Sequence, residues 1–187
     1  MAPKPDLTEL YETLGVTPAG RAISELCRSG LPLRMPKSGR QSSAGGFSSE
    51  KMGVVMGTES RTMERAYFRL IDADPDFLEF YEQAHSLRLT VTKKDGKRGS
   101  FDHIPDLFAI RRSWIGFIEI KTTAKLREKA AEQPNRFICS AEGRWTSPAA
   151  EDALANTGLG YRIVSDRDIN PILVRNLNYP RDFVRPA

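Results

Sequence analysis

The stretch Trp114-Ile115-Gly116-Phe117-Ile118-Glu119-Ile120-Lys121 limits the fold more than any other part of the chain. Its β-branched and aromatic residues favour an extended backbone. In that conformation apolar side chains stand on both faces. A strand of this kind belongs inside a sheet that is covered on both sides. The run closes on Glu119 and Lys121, which lie two residues apart and so project to the same face. Charges at the end of a buried strand are costly unless they are paired or put to use. A solvent-exposed ion pair is the other reading of a Glu-x-Lys pattern.

The flanking sequence predicts the rest of the sheet and its helices. Glu59 to Asp74 has apolar residues (Met63, Tyr67, Leu70, Ile71) at helical spacing, and Asp74-Pro75 ends the helix because proline disfavours helix in the residue before it. Extended segments follow from Phe77 to Thr92, with Leu87, Leu89 and Val91 alternating with polar residues. Asp95-Gly96 marks a hairpin turn, and the chain should return in one strand from His103 to Ile110. A turn at Arg112-Ser113 leads into the central run. Thr122 or Thr123 can cap a helix from Ala124 to Glu132. Arg136 to Ser140 reads as a strand, Ser147-Pro148 opens a helix to Ala155, and Gly160 to Val164 reads as a strand. Asp166 or Asp168 can cap a last helix toward Asn176. This order predicts an α/β domain with a mixed β-sheet flanked by helices.

Two short helices are expected between residues 6 and 29, the second capped by Thr17. No recognition helix with a basic face stands out, which favours a helical arm packed on the main domain over a helix-turn-helix reader. Residues 31–57, with Pro32, Pro36, several Ser and Gly, and Arg34, Lys37 and Arg40, read as a flexible basic linker. The expected organisation is an arm (1–30), a linker (31–57) and a main domain (58–187).

Composition narrows the functional classes. No run of about 18 apolar residues is present, so no membrane span is expected, and the start lacks a secretory apolar stretch, which points to the cytoplasm. Cys27 and Cys139 lack the spacing of a zinc or disulfide framework, and His85 and His103 are isolated. A metal would therefore be held by carboxylates, which favours Mg²⁺ or Mn²⁺. The net charge is +4, compatible with a nucleic-acid partner but also with many others. Lys93, Lys94, Lys97 and Arg98 form one basic cluster, and Arg111 and Arg112 another. These, with Lys125, are the candidate DNA contacts; a solvated hairpin tip explains the first cluster equally well.

Pro105-Asp106 precedes Glu119-Ile120-Lys121 by twelve intervening residues. On adjacent strands, Asp106 can reach the face that carries Glu119 and Lys121. Two carboxylates and an ammonium at one sheet edge suit phosphodiester hydrolysis, with a bound cation activating water and stabilising charge on the phosphate. Glu64, on the helix before the sheet, can add a carboxylate; from its own surroundings alone the stronger reading is a surface partner of Arg61 or a neighbour of Arg65.

Taken together, these segments resemble the TnsA-type endonuclease subunit of heteromeric transposases, within the PD-(D/E)xK nucleases, from about Gly46 to Phe183. Lys51-Met52-Gly53, Glu59-Ser60 and Met63-Glu64 resemble the family's opening segment. Asp74-Pro75-Asp76 through Gln83 is similar to the stretch that leads into its sheet. His103-Ile104-Pro105-Asp106-Leu107-Phe108 is similar to its Pro-Asp strand, and Glu119-Ile120-Lys121 to its (D/E/Q)xK element. Pro134-Asn135-Arg136-Phe137, Gly160 to Ser165, Asp168-Ile169-Asn170 and Arg175-Asn176-Leu177 extend the likeness. The resemblance implies a restriction-endonuclease-like fold and Mg²⁺-dependent nicking of the 5′ ends of a transposon. It also implies a TnsB-type DDE transposase as partner and a TnsC-type AAA+ regulator. By the same resemblance Glu64, Asp106, Glu119 and the Ile120 carbonyl hold the metal, and Lys121 positions or deprotonates water. A stand-alone restriction or repair nuclease, or a non-catalytic DNA-binding assembly subunit, are the competing readings. His103 carries no expected role.

Overall fold

The computed structural model describes residues 4–30, 33, 45–58 and 63–183, with the side chains of 45, 58 and 178–183 left aside. Four strands make the main sheet: β3 (Phe77–Glu82), β6 (Leu107–Arg111), β7 (Trp114–Ile120) and β10 (Gly160–Val164). Their order across the sheet is β10-β7-β6-β3. β7 pairs antiparallel with β6 and parallel with β10, so the sheet is mixed and β7 is interior, as its two apolar faces require. The fold is mixed α/β.

Alternation along β6 and β7 builds two cores. Phe108, Ile110, Ile115 and Phe117 face one side. There they meet Leu7, Tyr11 and Cys27 from α1 (Thr8–Thr13), α2 (Pro18–Ser29) and the segment before them, Leu87 and Leu89 from β4 (Leu87–Thr92), and Leu154 from α5 (Pro148–Leu154). Leu107, Ala109, Ile118 and Ile120 face the other side. They meet Phe47 and Met56 from the hairpin β1 (Gly45–Ser49) and β2 (Val54–Thr58), and Phe68 and Ile71 from α3 (Met63–Ala73). β7 and β10 approach closely where Gly116 pairs with Gly160; a methyl group on Gly116 would run into the Gly160 carbonyl.

The arm is tied to the sheet by a buried ion pair as well as by apolar contact. Arg28 donates from Nε to Glu79 Oε2 (2.8 Å) and from Nη2 to Glu79 Oε1 (2.9 Å), a bidentate bond between α2 and β3. The Tyr81 hydroxyl donates to the same carboxylate at 2.7 Å. Cys27 is fully buried beside this pair in sequence, and burial pushes its thiol up to about 12. Cys139 is exposed. In the native protein an aromatic disulfide reagent at pH 8 should therefore titrate one thiol, and two after denaturation; two fast thiols would contradict the packing of α2.

Several expectations are corrected. The segment from His103 to Ile110 is not one strand. Among the described residues β5 (Arg98–His103) pairs only with β4, in a separate ribbon, and β6 starts at Leu107. Pro105 lacks a backbone donor and restricts Ile104, so the chain leaves one ribbon and enters the other sheet there. Of the predicted linker, residues 45–57 lie in the β1–β2 hairpin, while 31–32 and 34–44 lie outside the described residues. The hairpin escapes a compositional reading because it buries little beyond Phe47, Ser49 and Met56. The predicted start of the α3 helix at Glu59 also lies outside the described residues. In 136–140 only Ile138–Cys139 is extended (β8), paired with β9 (Trp145–Thr146). Asn170, not Asp166 or Asp168, caps α6 (Pro171–Phe183), accepting from Ile172 N (3.0 Å) and Leu173 N (3.2 Å). Asp168 instead holds the Ser165 amide, and Asp166 holds the Thr123 amide and hydroxyl at the start of α4 (Thr123–Glu132). Among the described residues no helix is long and apolar enough to cross a membrane.

Candidate active site

The end of β7 that carries Glu119 is where four elements meet. Ile163 of β10 lies beside Glu119, and Leu107 of β6 beside Ile118. The break at Pro105 leaves Asp106 in the bend just before β6, rather than within a strand. Its Oδ2 accepts from the Ile120 amide at 2.7 Å, which fixes it against the end of β7. Its carbonyl accepts from the Gln83 amide at 3.1 Å. Gln83 takes a positive φ of 43° to make that turn off β3, a conformation that L side chains rarely adopt.

Lys121 lies one residue past β7, and its amide donates to the Val164 carbonyl at 2.9 Å. The expected common face is kept, because its ammonium is hydrogen-bonded to Glu119 Oε1. The other oxygen, Oε2, stands 3.1 Å from His103 Nε2. The Tyr161 hydroxyl is 3.0 Å from the same nitrogen and 3.5 Å from Oε2. Glu119 is almost fully buried, at 1% exposure. Lys121 is half-buried.

The two carboxyls are driven apart electrostatically. Burial opposes ionisation of Glu119, but the His103 hydrogen bond and the Lys121 charge outweigh it and hold the carboxyl well below the usual range. Asp106 is pushed well above its usual range by burial and then by the Glu119 charge, with Glu64 adding to it and Lys121 opposing. Glu64, in the first turn of α3, thus acts on Asp106 through its field. It acts likewise on Glu82, whose carboxyl burial already raises. Burial first, and then the Glu119 and Asp106 charges, push the Tyr161 hydroxyl well up.

Asp106, Glu119 and Lys121 are therefore brought together, and Glu64 lies within electrostatic reach of Asp106. Among the described residues no group of three or more His, Cys, Asp and Glu side chains forms a ready-made metal site. Asp106 is turned onto the Ile120 amide, and Glu119 onto Lys121 and His103. The donor chemistry nevertheless fits a hard divalent cation: the donors are carboxylate oxygens, and the repulsion that Glu119 and Glu64 exert on Asp106 is what such an ion relieves.

The candidate DNA contacts are divided. Lys93, Lys94, Lys97 and Arg98 are exposed at the tip of the β4–β5 ribbon, whose opposite end delivers His103 to the site. Lys97 reaches Asp95 at 3.6 Å, and the Lys94 amide donates to the Glu132 carbonyl at the end of α4. Lys125 is exposed in the first turn of α4, four residues beyond Lys121. Arg111 and Arg112 lie at the β6–β7 turn, at the far end of β7 from Glu119, roughly 15–20 Å along the strand. Arg111 is bound to Asp76 at 2.6 Å and packs over Phe77. These two arginines lie apart from the carboxylate cluster.

The sequence reading missed His103, Tyr161 and Glu82 as neighbours of the candidate residues. His103 is three residues before Asp106, and Tyr161 is on the strand beside β7. The strand assignment of 160–164 could have suggested Tyr161, had the parallel pairing to β7 been known. No protein-family model matches the chain, and no curated protein matches it.

Proposed function

We propose that this protein is a metal-dependent DNA endonuclease of the PD-(D/E)xK type on a restriction-endonuclease-like fold. Within that class, we propose the subunit that nicks the 5′ ends of a transposon beside a TnsB-type transposase, with a TnsC-type regulator as a further partner. The convergence of Asp106, Glu119 and Lys121 at one end of the interior strand carries the reading. The resemblance to TnsA-type nucleases supports its finer form.

Glu64, Asp106, Glu119 and the Ile120 carbonyl would hold Mg²⁺ or Mn²⁺, which supplies a water of lowered pKa and charge stabilisation at the phosphate. Glu119 is held ionised in a buried position, which suits it as an acceptor of positive charge. Lys121 presents an ammonium at the same carboxylate, where it can neutralise a phosphate oxygen or orient a water. The exposed lysines of the β4–β5 tip and Lys125 supply positive charge for the DNA backbone and little sequence information. Sequence choice then falls to a partner.

The reading is tested by incubating the protein with supercoiled plasmid and Mg²⁺ or Mn²⁺, with and without the transposase, beside Lys121→Ala. Metal-dependent nicking that falls about 10²-fold or more in the variant is expected. Nicking that survives the substitution would rule out this site. Stimulation by the transposase separates the transposition subunit from a stand-alone restriction or repair nuclease.

One observation favours a second reading, a non-catalytic DNA-binding subunit. Both carboxylates already have protein donors, from Ile120, Lys121 and His103. Absence of nicking in every arm, together with tight DNA binding, would favour it.

A further inference from the structure

The contacts around Glu119 are asymmetric. Lys121 holds Oε1, while Oε2 faces His103 Nε2 at 3.1 Å and the Tyr161 hydroxyl at 3.5 Å. A carboxylate oxygen can only accept, so Nε2 must carry the proton that lies between them. His103 therefore donates through Nε2, and the Tyr161 hydroxyl, 3.0 Å from that nitrogen, stands beside the same oxygen as a second donor.

His103 is itself held in place. Its side chain is 11% exposed. It ends β5, where it pairs with Leu87. The Phe101 ring stands edge-on to the imidazole at 6.5 Å and 70°, and the Arg136 guanidinium covers Phe101 at 4.9 Å. Tyr161 comes from the opposite direction, on β10, where it pairs with Phe117. Two elements that share no strand pairing therefore converge on one carboxylate oxygen.

Resting on the nuclease reading, we propose that His103 and Tyr161 are positioning residues that clamp Oε2 of Glu119 and so keep Oε1 turned toward Lys121, on the side where a divalent cation would be held. A carboxylate free to turn would offer either oxygen and would lose its register with Lys121. Donors that orient a ligand in this way typically alter metal affinity about ten- to a hundredfold when removed.

The experiment is calorimetric titration of Mn²⁺ into the metal-free protein, for wild type, His103→Ala, His103→Gln and Tyr161→Phe, with folding checked by circular dichroism. His103→Ala should weaken Mn²⁺ binding about tenfold or more. His103→Gln, whose amide N–H can take the place of Nε2–H, should restore most of it. Tyr161→Phe should fall between wild type and His103→Ala. Imidazole NMR of the metal-free protein should show a proton on Nε2 of His103, with signals that move in Glu119→Gln. An unchanged Mn²⁺ constant in a folded His103→Ala protein, or equal losses in the alanine and glutamine variants, would overturn the clamp while leaving the nuclease reading in place. A wild-type protein that takes up no Mn²⁺ would overturn the nuclease reading and the clamp's role with it.

Discussion

Replacing Asp106 with alanine is expected to lower metal-dependent nicking by about 10³-fold or more, a loss of roughly 4 kcal/mol of transition-state stabilisation. The protein should stay folded. Asp106 sits in a bend rather than in a strand, and its removal leaves the bonds of Glu119 to Lys121 and His103 in place. What is lost structurally is one hydrogen bond to the Ile120 amide, worth about 1 kcal/mol, with a larger cost only if that amide finds no water. DNA affinity should change little, because the exposed lysines of the β4–β5 tip are untouched. Plasmid nicking, equilibrium binding to a DNA duplex and thermal melting measured on one preparation check the three parts. Nicking retained in the variant would remove Asp106 from the site, and a lost fold would show that its role is structural.

Replacing Arg28 with alanine is expected to destabilise the protein by about 3–5 kcal/mol, the usual cost of leaving one partner of a buried pair without the other. Arg28 and Glu79 are 7% and 4% exposed. The substitution leaves the Glu79 carboxylate with the Tyr81 hydroxyl, and it also removes the bond to the Pro5 carbonyl at 2.7 Å. The bond to Glu25 contributes less, since that carboxylate is 55% exposed and solvent screens it. Urea denaturation gives the measurement. The pair as a whole need not be strongly stabilising: Arg28→Met with Glu79→Leu should recover most of the stability lost in the single variant. A loss below about 1 kcal/mol in Arg28→Ala would place the pair in solvent and detach the arm from the sheet.

The sheet was legible where one strand carries its own evidence. β7 is apolar on both faces and is interior; β4 alternates and buries Leu87, Leu89 and Val91. The turn at Asp95-Gly96 and the Thr17 cap follow from local chemistry that no tertiary contact overrides. What could not be read depends on partners distant in sequence. Nothing near Arg28 announces Glu79, fifty-one positions away. Nothing near His103 announces Tyr161, at a separation of fifty-eight. The split between β5 and β6 was signalled by Pro105, yet the apolar run after it suggested continuity. The site shows the same division. Asp106, Glu119 and Lys121 fall into one motif because they flank or end two strands, β6 and β7, that are joined by a short turn. The groups that orient them come from a different ribbon and a different crossover.

That division has a consequence for the order in which the molecule is completed. The β6–β7 hairpin brings Asp106 to Ile120 across a separation of only fourteen residues, whereas β10 reaches β7 only after α4, the β8–β9 ribbon and α5 have been threaded. Contacts of long separation carry the larger loop-closure cost. A nascent chain that has produced Lys121 already holds its acidic pair and ammonium, but not the strand that flanks Glu119. The candidate site is finished by the last described strand to be made.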